Sequence, residues 1–112
     1  MESSLTPEAI LVLTQMPDQG QARDLARSLV ESRLAACVNV GTPVDSLYHW
    51  HGQIETATEV PVMIKTRRDL YGELEAAIRS RHPYELPEII AVPVTDGLAP
   101  YLQWITAETA GT

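Results

Sequence analysis

His82, Tyr84 and Glu85 lie close together in the segment His82-Pro83-Tyr84-Glu85-Leu86-Pro87-Glu88-Ile89. An imidazole, a phenol and a carboxylate at that spacing could hold a cation, orient a polar ligand or pass a proton. Two prolines fix the backbone on either side of the Tyr-Glu pair and remove two N–H donors. A polar group of this kind on a stiffened loop is more often a recognition site than an accident. Lys65, at the end of the apolar run Val62-Met63-Ile64, could pair with Glu85 and complete a polar cleft. The competing reading is a structural ion pair that tightens a subunit interface without doing chemistry.

Cys37 is the natural soft ligand for Cu(I). Its plainer reading is a small buried hydrophobe on a strand, as most free cysteines are. One thiolate is an incomplete metal site, because copper or zinc wants several protein ligands. Asn39, two residues on, should face the same side and either orient a ligand or satisfy a backbone group. His49 and His51 flank Trp50 and, two apart on a strand, should project from one face. That spacing could chelate a divalent metal with Glu55, or could be a solvated polar face. Tyr48, Trp50 and Trp104 read as packing and interface residues. Arg67-Arg68 opens the second helix, where a phosphate could dock, but no Gly-rich phosphate loop is present.

These residues sit in a chain of 112 residues with a formal charge of −7, one cysteine and no phenylalanine. That length makes one domain, residues 1–112, with 1–7 expected to be a flexible N-terminus. The acidic balance offers no basic stripe for nucleic acid. A lone cysteine excludes an intrachain disulfide and suits a reducing compartment. No basic-then-apolar leader opens the chain and no run is long enough to span a bilayer, so a cytoplasmic protein without membrane contact is expected.

The elements that must position the candidate groups follow from periodicity. Ala9 to Thr14 reads as a buried strand. Asp18 with Gln21 resembles a capping box, followed by Ala22, Leu25, Ala26, Leu29 and Val30 at helical spacing. Ala35 to Val40 and Ser46 to His51 read as strands, Gly52 turns the chain, and an antiparallel strand ends at Thr66. Pro61 inside it predicts a bulge or an edge position. A helix carrying Leu70, Leu74, Ala77 and Ile78, a strand from Glu88 to Val94 and a short helix with Tyr101, Leu102 and Ile105 complete the chain. This β-α-β-β-α-β-α order is the split βαβ pattern of an α+β, ferredoxin-like sandwich. Its strands are apolar on both faces, yet only one short helix remains to cover the second face. Self-association is the simplest cover.

From about Ala9 to Ile105 the chain resembles the CutA family of divalent-cation tolerance proteins. The resemblance rests on Leu34-Ala35-Ala36-Cys37-Val38-Asn39, Ser46-x-Tyr48-x-Trp50-x-Gly52-x-Ile54-Glu55 and Ile64-Lys65-Thr66. It continues through His82-Pro83-Tyr84-Glu85-x-Pro87-Glu88-Ile89 and Tyr101-Leu102-x-Trp104-Ile105. It implies a ferredoxin-like protomer in a PII-like homotrimer and a link to copper or other divalent cations, bound weakly or at subunit boundaries. Cys37 and His82 are then the expected metal ligands, with Asn39, Trp50, Lys65, Tyr84, Glu85 and Trp104 in a ligand cleft or interface. Gln103 stands where the family often has asparagine, and the additional cysteines of some members are missing, which excludes a site built from several cysteines of one protomer. A non-catalytic metal-binding trimer is the leading reading. A PII-like sensor of a small anionic metabolite is the alternative, ahead of a purely structural trimer. An enzyme built on Cys37, or on His82 with Glu85, is the least supported, since a buried cysteine is usually inert.

Overall fold

The computed structural model describes residues 7–110; the expectation of a flexible N-terminus over 1–7 lies, but for Pro7, outside them. The elements run β1 (Ala9–Met16), α1 (Gln19–Glu31), β2 (Cys37–Val40), β3 (Val44–Trp50), β4 (Gln53–Arg67), α2 (Tyr71–Arg81), β5 (Ile89–Pro93) and α3 (Ala99–Glu108). One antiparallel sheet has the order β2-β4-β1-β5, and β3 pairs with the first half of β4. With β2 and β3 taken as one bent strand, this is the expected split βαβ sandwich.

Strict alternation builds the core. Ile10, Val12, Thr14 and Met16 of β1 and Val60, Val62, Ile64 and Thr66 of β4 are buried on one face. Leu25 and Leu29 of α1 and Leu74 and Ile78 of α2 close over them. The Asp18 carboxylate starts α1 by accepting from Gln21 N–H at 2.8 Å and from the Gln21 amide at 2.9 Å. Those bonds hold its pKa below the ordinary carboxylate value. The helix ends in a Schellman turn, Leu34 N–H to Leu29 O and Arg33 N–H to Val30 O. Arg33 occupies the left-handed position at φ 61°, and its guanidinium is anchored to the Glu108 carbonyl at 2.9 Å.

The proline in β4 marks a bulge, as expected. Val40 pairs with Val62 but Val44 pairs with Glu59, so residues 41–43 face only residues 60 and 61. The extra residue reverses the parity of the edge strand. Cys37 and Asn39 therefore share the side of the sheet remote from α1 and α2 with Ser46, Tyr48 and Trp50. Gly41 is required here: its N–H bonds to Pro61 O, and a Cβ would come within 2.9 Å of the Pro61 ring.

That second side is the uncovered face. Helix α3 caps one end of it: Lys65 Nζ lies 6.0 Å from the Tyr101 ring centroid, Ile105 is buried, and Arg67 donates to the Thr109 carbonyl at 3.2 Å. Beyond α3, Met63, Ile90 and Val92 remain between 41% and 49% exposed. One protomer leaves this patch bare.

Candidate functional site

The far end of the uncovered face opens into a cleft of about 770 Å³, bounded by β3, the end of β1 and the loop between α2 and β5. The hairpin β3–β4 fixes one wall. His51 at φ 51° and Gly52 at φ 78° form a two-residue turn that pairs Trp50 with Gln53. The register then puts Ser46, Tyr48 and Trp50 on the same face as Glu59. The pairing of His49 with His51 on one strand face does not occur, because His51 is in the turn with left-handed backbone and only His49 borders the cleft.

The other wall is the proline-flanked loop. Nε2 of His82 lies 2.6 Å from the Gln15 carbonyl, and the Tyr84 N–H donates to Nδ1 at 3.2 Å. A carbonyl only accepts, so Nε2 donates while Nδ1 accepts, and the ring braces the loop with both nitrogens engaged. In this arrangement neither nitrogen of His82, an expected metal ligand, is free. Gln15 also donates to Glu88 Oε1 and accepts from Ser46 Oγ, both at 3.3 Å. It thus ties loop, β1 and β3 together.

Tyr84, Glu85 and Trp50 all line the cleft. Lys65 does not. Gln15 pairs with Pro61 and Lys65 with Cys37 and Leu11, so the Cys37–Lys65 row is four residues from the cleft, roughly 13 Å along the strands. The proposed Lys65–Glu85 pair is therefore absent, and one protomer does not unite Cys37 with His82. Asn39 lies beside Met63 on the open face. Trp104 is on α3, stacked on Tyr101 with ring centroids 5.5 Å apart. Arg67 and Arg68 are engaged with Asp69 and Glu8 rather than poised for phosphate.

The cleft contains groups not among the candidate site residues: Gln15 and Glu59, which lie in no motif, and Ser46 and Glu88, which lie within the motifs quoted above. Glu59 was discoverable, since a two-residue turn at His51-Gly52 dictates its face. Three carboxylates border the space, and among the described residues no lysine or arginine does. Burial first, and then the neighbouring Glu59 carboxylate, pushes the Tyr84 phenol up to about 12. The folded chain holds this proton more tightly than the unfolded one. The corresponding stability is complete below the ordinary tyrosine value of 10.0 and is lost as pH rises through about 12. In an ultraviolet tyrosinate titration, Tyr84→Phe should remove only the most alkaline part of the curve. Loss of an ordinary increment instead would contradict the Tyr84–Glu59 contact.

Among the described residues, no group of three or more His, Cys, Asp or Glu side chains converges as a metal site. No helix among them is long and apolar enough to cross a membrane.

Comparison with known proteins agrees with this architecture. The family model for "CutA1 divalent ion tolerance protein" matches residues 10–108. The human "Protein CutA" is 48% identical over 93 residues, 83% of this chain and 52% of that protein. The chain thus spans about half the length of such vertebrate relatives. "Divalent-cation tolerance protein CutA" of Thermus thermophilus is 37% identical over 99 residues, covering 88% of this chain and 96% of that one. The crystal structure of the stable protein CutA1 from Shewanella sp. SIB1 superposes with a TM-score of 0.88 at 44% identity, covering 92% of this chain and 96% of the other.

Proposed function

Because this chain belongs to the CutA1 divalent ion tolerance protein family, we propose that it works as a homotrimer that binds copper or another divalent metal ion without turnover. The observation that carries this reading is the position of Cys37, half-buried on the one sheet face that a single chain leaves bare. A thiolate needs further donors to hold a transition metal, and the protomer does not supply them. Neighbouring copies closing over this face bring their own donors to the boundary where Cys37 lies. We assign no catalytic role: the imidazole that could activate a nucleophile is held by two backbone groups. The lone thiol also favours a reducing compartment, and we place the protein in the cytoplasm.

An anionic metabolite is the weaker ligand. The cleft presents Glu59, Glu85 and Glu88, whose field repels an anion.

Native mass spectrometry of metal-stripped protein, titrated with copper under reducing and then oxidising conditions, tests the proposal. The expected result is a trimer that takes up a fixed number of ions, with Cys37→Ala abolishing that uptake. His82→Ala should leave the ion count unchanged while loosening the loop. A trimer that stays empty against a weak competitor would remove the metal reading. Unchanged uptake in Cys37→Ala would remove Cys37 from it.

A further inference from the structure

The cleft between β3 and the loop preceding β5 is not accounted for by metal binding at Cys37, and its chemistry differs from that of a metal site. A bare divalent ion needs donors converging to within about 2.0–2.6 Å of one point. The cleft carboxylates belong to Glu59 at the bulge, Glu85 in the loop and Glu88 just before β5, and no such convergence occurs among the described residues. Tyr48 and Trp50 of β3 and Tyr84 of the loop line the same space. Aromatic faces carry negative quadrupole potential and attract ammonium or guanidinium groups. No lysine or arginine occurs anywhere between Arg33 and Lys65, and none borders the cleft. A space of about 770 Å³ is that of a small organic ligand.

We propose that this cleft binds a small organic polycation, with its ammonium groups between Glu59, Glu85 and Glu88 and its alkyl chain against Tyr48, Trp50 and Tyr84. Separated carboxylates suit charges separated along a chain, which a single metal ion cannot match. The rings supply apolar contact for the methylene segments, which an inorganic cation does not use. The Gln15 bonds to Glu88 and Ser46 hold the two walls at a fixed separation. The overall charge of −7 adds attraction that salt should screen.

The test is calorimetric titration of the assembled full chain with spermidine, with magnesium at matched ionic strength as the control. Saturable binding of spermidine that magnesium does not displace is expected. Trp50→Leu keeps an apolar side chain but removes the ring, and should weaken binding by roughly threefold. The exposed pair Glu85→Gln with Glu88→Gln should weaken it by about tenfold or more. Cys37→Ala should leave spermidine binding intact, so failure here and failure of the metal reading are separable. Absence of saturable binding would overturn the proposal. So would magnesium competing at equal ionic strength, or a carboxylate-dependent signal indifferent to Trp50→Leu, since either is general attraction to an acidic surface.

Discussion

Met63→Asp combined with Ile90→Asp should dissociate the proposed homotrimer while the single chain stays folded. Met63 and Ile90 each oppose Leu13 of β1, so the three lie side by side across the uncovered face. Met63 is 41% and Ile90 49% exposed in the single chain, and neither belongs to the helix-covered core. A carboxylate at either place would meet water in a lone protomer and cost it little. Inside a subunit interface it would be a desolvated charge without a partner, which is strongly destabilising. Only about half of each side chain is left to bury, so the lost apolar burial is roughly 0.6–1.5 kcal/mol per side chain. Two such losses correspond to roughly tenfold to a hundredfold in dissociation constant, before the buried charges are counted. Light scattering should give the mass of one chain for the variant, with an unchanged far-ultraviolet circular dichroism spectrum. An undiminished oligomer mass would mean that this face is not where copies meet. A lost dichroism spectrum would mean that these side chains support the protomer itself.

The apolar character of the uncovered face was readable from the residues, because Leu11, Leu13, Met63 and Ile90 alternate with buried partners and are themselves apolar. So were the helix start at Asp18, the bulge at Pro61 and the element order. Strand ends were less readable. Gln15 interrupts the apolar run of β1, yet Met16 beyond it is buried, because alternation continues through a polar residue facing the open side. The first half of β4, Ile54-Glu55-Thr56-Ala57-Thr58-Glu59, has no buried position and gives no apolar period to read. His51 looked like strand because alternation cannot register a turn whose first position accepts a histidine at positive φ. The site failed in one instructive way. Lys65 and Glu85 are complementary in charge, but contact between a strand and a distant loop depends on sheet order and register. Register puts Pro61, not Lys65, beside Gln15 and the loop it supports. His82 was legible as important. Its bond to the Gln15 carbonyl depends on where β1 ends, which no local pattern reveals.

Ile64→Ala, one residue from Met63, should act through an entirely different quantity. Ile64 is fully buried, pairs with Val12 on one side and Val38 on the other, and lies under α1 and α2 at the centre of the sheet. Truncating it removes transfer free energy and leaves a cavity that neighbouring strands cannot close, a loss of about 2–5 kcal/mol. Against a total of about 5–15 kcal/mol for an ordinary domain, that is a large fraction. The loss belongs to the protomer, so it should persist in the Met63→Asp, Ile90→Asp background, where subunit contacts have been removed. Urea unfolding in that background should show the midpoint fall with little change in slope. Met63→Ala, by contrast, should be nearly silent there and should lower stability only in the assembled protein, in a concentration-dependent way. Adjacent residues on one strand would then report separately on folding and on assembly. A cost below about 1 kcal/mol for Ile64→Ala would contradict the placement of this side chain in a packed core. Equal costs for both residues in the monomeric background would contradict the alternation from which the two faces of the sheet were assigned.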